Sequence, residues 1–409
     1  MSNFYKNTEL AARYNISEAT VRNWIKSSLE GKLNLELVGS GRRMYVAKSI
    51  RNIPVIEGQV ENNRKYRNTL SSKTVSPSAS FYEVFSESQT HDIIRGLELH
   101  REIPLQYGYF AKGAQEWNEY INKQASVEAP SMLRGSIELL ADNYSYLERR
   151  LAKFTKVNVV DIGVGNALPV RGVLDYLLSR DKLGRYVALD FSVDMLDVAK
   201  QNLKEWFGAR VCFEGYQIDV GYERFANILS SKDEQAADTV NLVMLLGATP
   251  NNLRIPRDAF RTICESMNGK DMFVYTDSVR PLASLPEWLE YNYDIRPREP
   301  ELLDRHRRVL DQLNVKDSFY TVEMGLNREA KYLYSRIKFK FALTIDFNLR
   351  SGRQSVSFEK GDTILLWRCW RKTPGELVEQ LESCGFYVLH TSQSEDHNYI
   401  LTIAEVKRS

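Results

Sequence analysis

Residues 157–219 set the terms for the rest of the chain. Three short apolar runs follow one another, and each stops at an acidic residue or a glycine turn. They read Val157-Asn-Val-Val-Asp161-Ile-Gly163-Val-Gly165-Asn166, then Gly184-Arg-Tyr-Val-Ala-Leu-Asp190-Phe191, then Gly215-Tyr-Gln-Ile-Asp219-Val220. A helix-like segment separates each pair. That order predicts a βαβαβ unit: an α/β, Rossmann-like sheet that presents ligand groups at the carboxyl ends of parallel strands.

The spacing carries chemistry. Gly163 and Gly165 lack Cβ atoms, so backbone can approach a ligand closely at the first turn. Asp190 ends the second strand, where a carboxylate can accept both hydroxyls of a ribose. Asp219 ends the third, where an acceptor can meet an exocyclic adenine amine. Asp161, Phe191, Val220 and Leu246 complete the candidate cofactor residues. A dinucleotide fold would show G-x-G-x-x-G, but Asn166, Ala167 and Leu168 follow Gly165. No G-x-x-x-x-G-K-[ST] occurs either. The pattern therefore favours S-adenosylmethionine (SAM). A sheet whose acids only cap helices is the alternative.

A chain of 409 residues suggests two or three domains. Its four cysteines (Cys212, Cys264, Cys369, Cys384) are scattered, with no C-x-x-C and no histidine cluster. That reads as reduced thiols in a cytoplasmic protein without a metal site. No apolar run has the length of a bilayer span, and the polar start does not read as a secretory leader. The net charge of +2 hides an asymmetry. Residues 1–73 carry 13 Lys/Arg against 6 Asp/Glu, and the remainder 42 against 47. A basic head on a mildly acidic body points to nucleic acid for the head alone.

The head, residues 1–52, shows a pattern of its own. Thr8 can cap a short helix holding Leu10, Ala11 and Tyr14, and Asn15 ends it. Ser17 can cap a second helix that buries Val21, Trp24 and Ile25. Residues 35–46 then read as a β-hairpin wing with an arginine-bearing tip. The run E-L-A-x-x-Y-x-I-S-x-x-T-V-R-x-W resembles the winged helix-turn-helix domains of the MerR/excisionase type. By that resemblance the second helix enters the major groove of DNA. Thr20, Arg22, Asn23 and Lys26 would then face bases or phosphates, and Arg42 and Arg43 the backbone. A homodimer on a two-fold site would enlarge the small DNA surface one unit buries. A role in protein contacts alone is the alternative.

Residues 53–90 are polar and serine-rich and read as a linker. A helical cap, 91–155, follows, and its stretch 104–117 clusters Tyr107, Tyr109, Phe110 and Trp117 beside small residues. The cofactor core spans 156–277. Its fourth buried strand runs into Leu246-Gly-Ala-Thr249-Pro250-Asn251-Asn252, and a fifth covers 270–277. Residues 278–372 form a substrate-domain insertion. Helical pieces are expected at 284–293 and 301–313, followed by antiparallel strands over 336–349 and 354–370. Thr373 caps a helix, and 386–390 with 399–406 close the core sheet as a hairpin, so 373–409 completes the core.

Residues from about 100 to 409 resemble the histidine Nα-methyltransferase family of ergothioneine biosynthesis, a branch of class I SAM-dependent methyltransferases. The matching segments are Asp161-Ile-Gly163-Val-Gly165, the stretch 246–252, Phe358-Glu-Lys-Gly361-Asp362-Thr-Ile364, and the region around Tyr109 and Gly113. The resemblance implies that Asn252 and Tyr109 hold the two ends of an amino-acid-like acceptor, with Tyr107 nearby. One departure matters. The family's glutamate and serine that read the imidazole are replaced here by Trp367 and Cys369. An indole cannot accept an imidazole N–H, and an unpaired buried polar group costs roughly 1–3 kcal/mol. The acceptor expected is therefore a small amine or amino-acid-like molecule other than histidine. Trp367 could equally be core filling.

Three functions compete. The first is a small-molecule methyltransferase, for which no general base is identifiable. The second is a DNA-binding regulator that uses the methyltransferase fold as a SAM sensor. The third, a DNA methyltransferase, lacks its residues: no Pro-Cys pair occurs, and Thr249-Pro250-Asn251-Asn252 replaces the Asp/Asn-Pro-Pro-aromatic motif.

Overall fold

The computed structural model describes residues 3–14, 16–40, 43–70, 72–127, 130–230, 238–279 and 301–407. Arg42, Asn15 and the helical piece expected at 284–293 lie outside the described residues. The chain divides into two compact units. One comprises Met1–Thr74 with Phe341–Thr344 and Ser357–Gly361; the other holds the remainder.

In the first unit, helices Asn7–Tyr14 and Glu18–Leu29 precede antiparallel strands Leu37–Ser40 and Arg43–Ala47. Ser17 starts the second helix because its hydroxyl accepts the Thr20 N–H at 3.1 Å. The apolar residues at helical spacing then face inward. Val21, Trp24 and Ile25 bury against Leu10, Ala11, Leu35 and Val46. Asn52 stitches the unit together: its amide nitrogen donates to the carbonyls of Glu36 and Ala47, and its oxygen accepts the Glu36 N–H.

The stretch whose composition reads as a linker is instead ordered secondary structure. Helix Asn52–Leu70 belongs to the first unit. Helices Ala79–Val84 and Glu87–Arg95 follow in the second. The serines that suggested a flexible chain act as helix caps. Ser78 accepts the Phe81 N–H, and Ser86 forms a reciprocal capping box with Gln89.

The second unit is built on a seven-stranded sheet. In spatial order its strands are Phe386–Gln393, Tyr399–Val406, Met272–Ser278, Thr239–Leu246, Lys156–Ile162, Leu183–Asp190 and Phe213–Gln217. The five core strands pair in parallel, and Tyr399–Val406 runs antiparallel to both its neighbours. The central strands Lys156–Ile162, Thr239–Leu246 and Met272–Ser278 are buried on both faces and are nearly continuous apolar runs, whereas the edge strand Phe213–Gln217 is largely exposed. One face packs Leu139, Leu147, Leu174 and Leu203. The other packs Phe260, Ile263, Leu377 and Leu381. The order reverses between Lys156–Ile162 and Thr239–Leu246, and the crevice beyond their carboxyl ends is where such sheets bind ligands.

A second sheet in this unit joins Tyr320–Asn327, Tyr332–Phe339 and Thr363–Trp370, all antiparallel. The sequence reading expects strands in this insertion only from residue 336 onward. Strand Tyr320–Asn327 forms nonetheless, because Glu323 is paired across the ladder with Arg336 at 2.8 Å and Lys338 at 3.4 Å. The expected 301–313 helix is present as Asp304–Gln312. No described helix is long and apolar enough to cross a membrane. Among the described residues no cluster of His, Cys, Asp or Glu could hold a metal ion.

Leu242, in the central strand Thr239–Leu246, is 1% exposed. Leu242→Ala should destabilise the protein by about 2–5 kcal/mol through lost burial and a residual cavity. Urea unfolding followed by tryptophan fluorescence checks this; a midpoint equal to that of the parent chain would contradict the two-sided packing.

Candidate functional site

The site grows from the ends of the parallel strands. After Lys156–Ile162 the chain turns at Gly163 and Gly165, whose φ angles are +63° and +54°. A Cβ on Gly163 would lie 3.0 Å from the Thr249 hydroxyl, and one on Gly165 would lie 3.4 Å from the Trp117 indole nitrogen. Both glycines therefore keep open a cradle that a side chain would fill. The next strand delivers Asp190. Its Oδ1 accepts the Ser192 N–H at 2.9 Å, and the Gly165 and Phe191 N–H groups also favour its ionised form. Burial outweighs these bonds and pushes its pKa up to about 6. Asp219 follows the third strand, with Oδ1 accepting the Gly221 N–H at 2.9 Å and Oδ2 facing Gln106 Nε2 at 3.4 Å.

These groups line one cavity together with Phe191, Val220, Tyr109, Trp117, Thr249 and Asn252. Tyr109 is set in place through its backbone. Ser192 Oγ donates to the Tyr109 carbonyl at 2.8 Å, and the Ala111 N–H donates to Asp194 at 2.7 Å. The turn after the second strand thus fixes the cap segment over the cavity. Tyr109 packs edge-on against Trp117, and the Arg305 guanidinium stands 5.4 Å from the Trp117 ring centre. Burial raises the Tyr109 pKa, so its hydroxyl stays protonated at neutral pH.

The other wall is the turn Thr249–Asn252. Four side-chain bonds hold it from neighbouring strands. Asn251 donates to Asp277 at 2.5 Å and accepts from Lys372 at 2.9 Å. Trp370 Nε1 donates to the Leu253 carbonyl at 2.8 Å, and Trp367 Nε1 donates to Asn252 Oδ1 at 3.0 Å.

Of the residues singled out in the sequence, Gly163, Gly165, Asp190, Phe191, Asp219, Val220, Tyr109 and Asn252 meet at this cavity. Leu246 lines an adjoining one that shares Tyr109, Gly163 and Asn252. Asp161 lies elsewhere: it is buried within the sheet and accepts the Tyr186 hydroxyl at 2.9 Å. Tyr107 also turns away, donating to Asp92 at 2.6 Å within an aromatic cluster with Phe85 and Phe191. Cys369 packs in the core beside Leu333 and Trp367. Trp367 reaches the site by way of Asn252. Among the lining residues that sequence reasoning did not assign to the site are Gln106, Trp117 and Thr249. They come from the cap and from a turn already noted, but nothing in their spacing aims them inward.

The residues present suit SAM. Two glycines leave room at the first turn, and acids at the next two strand ends can accept from a ribose and an adenine amine. Sheet order and cavity together define a class I, Rossmann-like SAM-dependent methyltransferase. The chain belongs to the histidine-specific, SAM-dependent methyltransferase family, whose profile matches residues 89–406. No curated protein matches it. Among solved structures, it is similar to a SAM-dependent methyltransferase from Clostridium acetobutylicum ATCC 824 (10% identity, TM-score 0.39, 72% of this chain and 98% of that one). Another is the magnesium protoporphyrin IX methyltransferase of Synechocystis PCC 6803, which was solved with bound S-adenosylhomocysteine (8%, 0.39, 72% and 97%). A third is the CcbJ methyltransferase from Streptomyces caelestis (13%, 0.33, 69% and 100%).

Asp190 gives a pH test. Its folded pKa of about 6 lies above the ordinary carboxylate value of 3.8. The folded state therefore holds this proton more tightly than the unfolded chain does. The stability it contributes is present below pH 3.8 and is lost as pH rises through about 6. Cofactor binding runs the other way, because only the ionised carboxylate accepts both hydroxyls of a ribose. SAM affinity should be about tenfold weaker at pH 5 than at pH 7, and Asp190→Asn should remove most of the binding and flatten this dependence. Calorimetric titrations at pH 5, 6 and 7 decide; a pH-independent affinity in the parent chain counts against the ribose role.

Proposed function

We propose that this protein transfers a methyl group from SAM to a small amine or amino-acid-like acceptor other than histidine, bound beside Tyr109 and Asn252. The observation that carries the reading is the Trp367–Asn252 hydrogen bond at 3.0 Å. The family's imidazole-reading glutamate corresponds to Trp367, and an indole N–H that already donates to Asn252 offers an imidazole nothing in return. SAM brings an electrophilic sulfonium methyl. The protein's work is to align donor and nucleophile and to exclude water. Gly163 and Gly165 admit the cofactor, Asp190 and Asp219 accept from its sugar and base, and the Tyr109–Trp117 pair closes the cavity from the cap. Tyr109 is a neutral hydroxyl here and a poor base. The acceptor amine therefore sheds its proton to solvent before attack.

Transfer of labelled methyl from SAM to a panel of amino acids and amines tests this reading. We expect transfer to at least one non-imidazole acceptor and none above background to histidine. Histidine turnover equal to that of the best acceptor would sink the specificity argument.

A second reading concerns the N-terminal unit. We propose that it binds DNA and links DNA occupancy to SAM, as a methyltransferase with a DNA-binding head or as a SAM-responsive regulator. Support comes from helix Glu18–Leu29, which buries Val21, Trp24 and Ile25 while Arg22, Asn23 and Lys26 are exposed and Thr20 is half-buried. Arg43, at the start of its strand, is exposed as well. Fluorescence anisotropy with duplex DNA should give an affinity that falls as salt rises. Each phosphate contact removed by Arg22→Ala or Lys26→Ala should flatten the logarithmic salt slope by about 0.9. Absence of any salt-dependent binding, with the variants folded, removes this reading.

A further inference from the structure

A second cavity of about 360 Å³ opens beside the first and shares Gln106, Asp219, Asn252 and Leu253 with it. Three of its four acids are already engaged. Asp92 accepts the Tyr107 hydroxyl, Glu102 is paired with Arg368, and Asp219 accepts the Gly221 N–H. Asp258 sits in the first turn of helix Pro256–Ser266, where a carboxylate is stabilised by the helix dipole. The cavity's cations differ. Arg95 and Arg254 line it, and neither forms an ion pair with a described residue.

The field is positive at the Arg254 end of the cavity, while Asp92, Asp219 and Asp258 line the rest of it. Burial, then Arg254 and Arg368, push the His100 pKa down. The same two arginines favour the ionised form of Glu102 against its burial. Asn252 adds a neutral donor. Its carbonyl oxygen takes the Trp367 N–H, so the NH₂ is the end of that amide left for a ligand. Two guanidinium groups and one amide N–H are all donors, and all three call for an anionic or carbonyl oxygen.

We propose that this second cavity holds an anionic group of the methyl acceptor, a carboxylate or a phosphate, against Arg254 and Arg95 and beside the Asn252 amide. This rests on the methyltransferase reading above and narrows its substrate class. The acceptor is an acidic small molecule whose nucleophile reaches the cofactor cavity past Asn252 and Leu253, while its anionic end stays among the arginines. A neutral or purely cationic amine leaves Arg95 and Arg254 without a partner.

The experiment is calorimetric titration of the full-length protein saturated with S-adenosylhomocysteine, at fixed ionic strength. Succinate, inorganic phosphate and succinamide serve as probes. Binding of succinate or phosphate without succinamide is expected, and whichever anion binds tighter assigns the carboxylate or the phosphate. Arg254→Gln and Arg95→Gln should each weaken that binding by about tenfold or more. Affinity for S-adenosylhomocysteine should stay within about threefold, which also reports that each variant is folded. Equal binding of succinamide, anion binding indifferent to both substitutions, or no anion binding to a protein that still takes S-adenosylhomocysteine would each overturn the proposal. Failure of the parent protein to bind S-adenosylhomocysteine would instead overturn the methyltransferase reading itself.

Discussion

Asp277 is the constraint around which the Asn252 end of the cleft is arranged. It ends the fifth core strand and is 0% exposed. A buried carboxylate without partners is costly. Here burial pushes its pKa up, while Lys372 and Arg371 pull it back down. The Asn251 amide then bridges Asp277 to Lys372. Burial also lowers the Lys372 pKa, and Asp277 opposes that shift. Each charge makes the other's burial tolerable. The consequence is geometric. Asn251 can satisfy both only from one position, so the turn Thr249–Asn252 is held in place and Asn252, the next residue, is presented at the cavity. Trp367 and Trp370 reinforce the same turn from the second sheet.

That dependence explains what was legible in the sequence. The parallel core was readable because strands buried on both faces must be apolar runs, and because strand ends carry Gly163, Gly165, Asp190 and Asp219. The last four sit at positions where backbone geometry alone decides what a residue faces. Cap and second-sheet residues obey no such rule. Asp161 follows a strand pattern like that of Asp190, yet it points to Tyr186 within the sheet. Tyr107 and Tyr109 are two residues apart in a short 3-10 turn, Leu105–Tyr109. One faces Asp92 and the other the cavity, and the ties from Ser192 and Asp194 to the backbone at Tyr109 and Ala111 help decide which. The serines at 78 and 86 show the same limit. Composition counts them as flexible chain, whereas their position just before a helix makes them caps.

Trp367, which the family resemblance sets in the place of an acid, acts through the same turn. A glutamate there would leave the Asn252 amide free to present either its oxygen or its nitrogen. The indole N–H removes that freedom, because a donor can only be met by the amide oxygen. Asn252 is thereby fixed as a donor toward whatever lies beyond it. The change has a packing side as well. Trp367 joins Leu333, Leu326 and Cys369 in an apolar cluster, so the ring is supported along its body and polar only at its tip. Cys369 belongs to the same cluster, where burial raises its thiol pKa and keeps it neutral. Trp367 and Cys369 thus belong to one apolar wall, whose single polar tip locks one amide. The donors that remain at this end of the cleft are Asn252 and the arginines beside it.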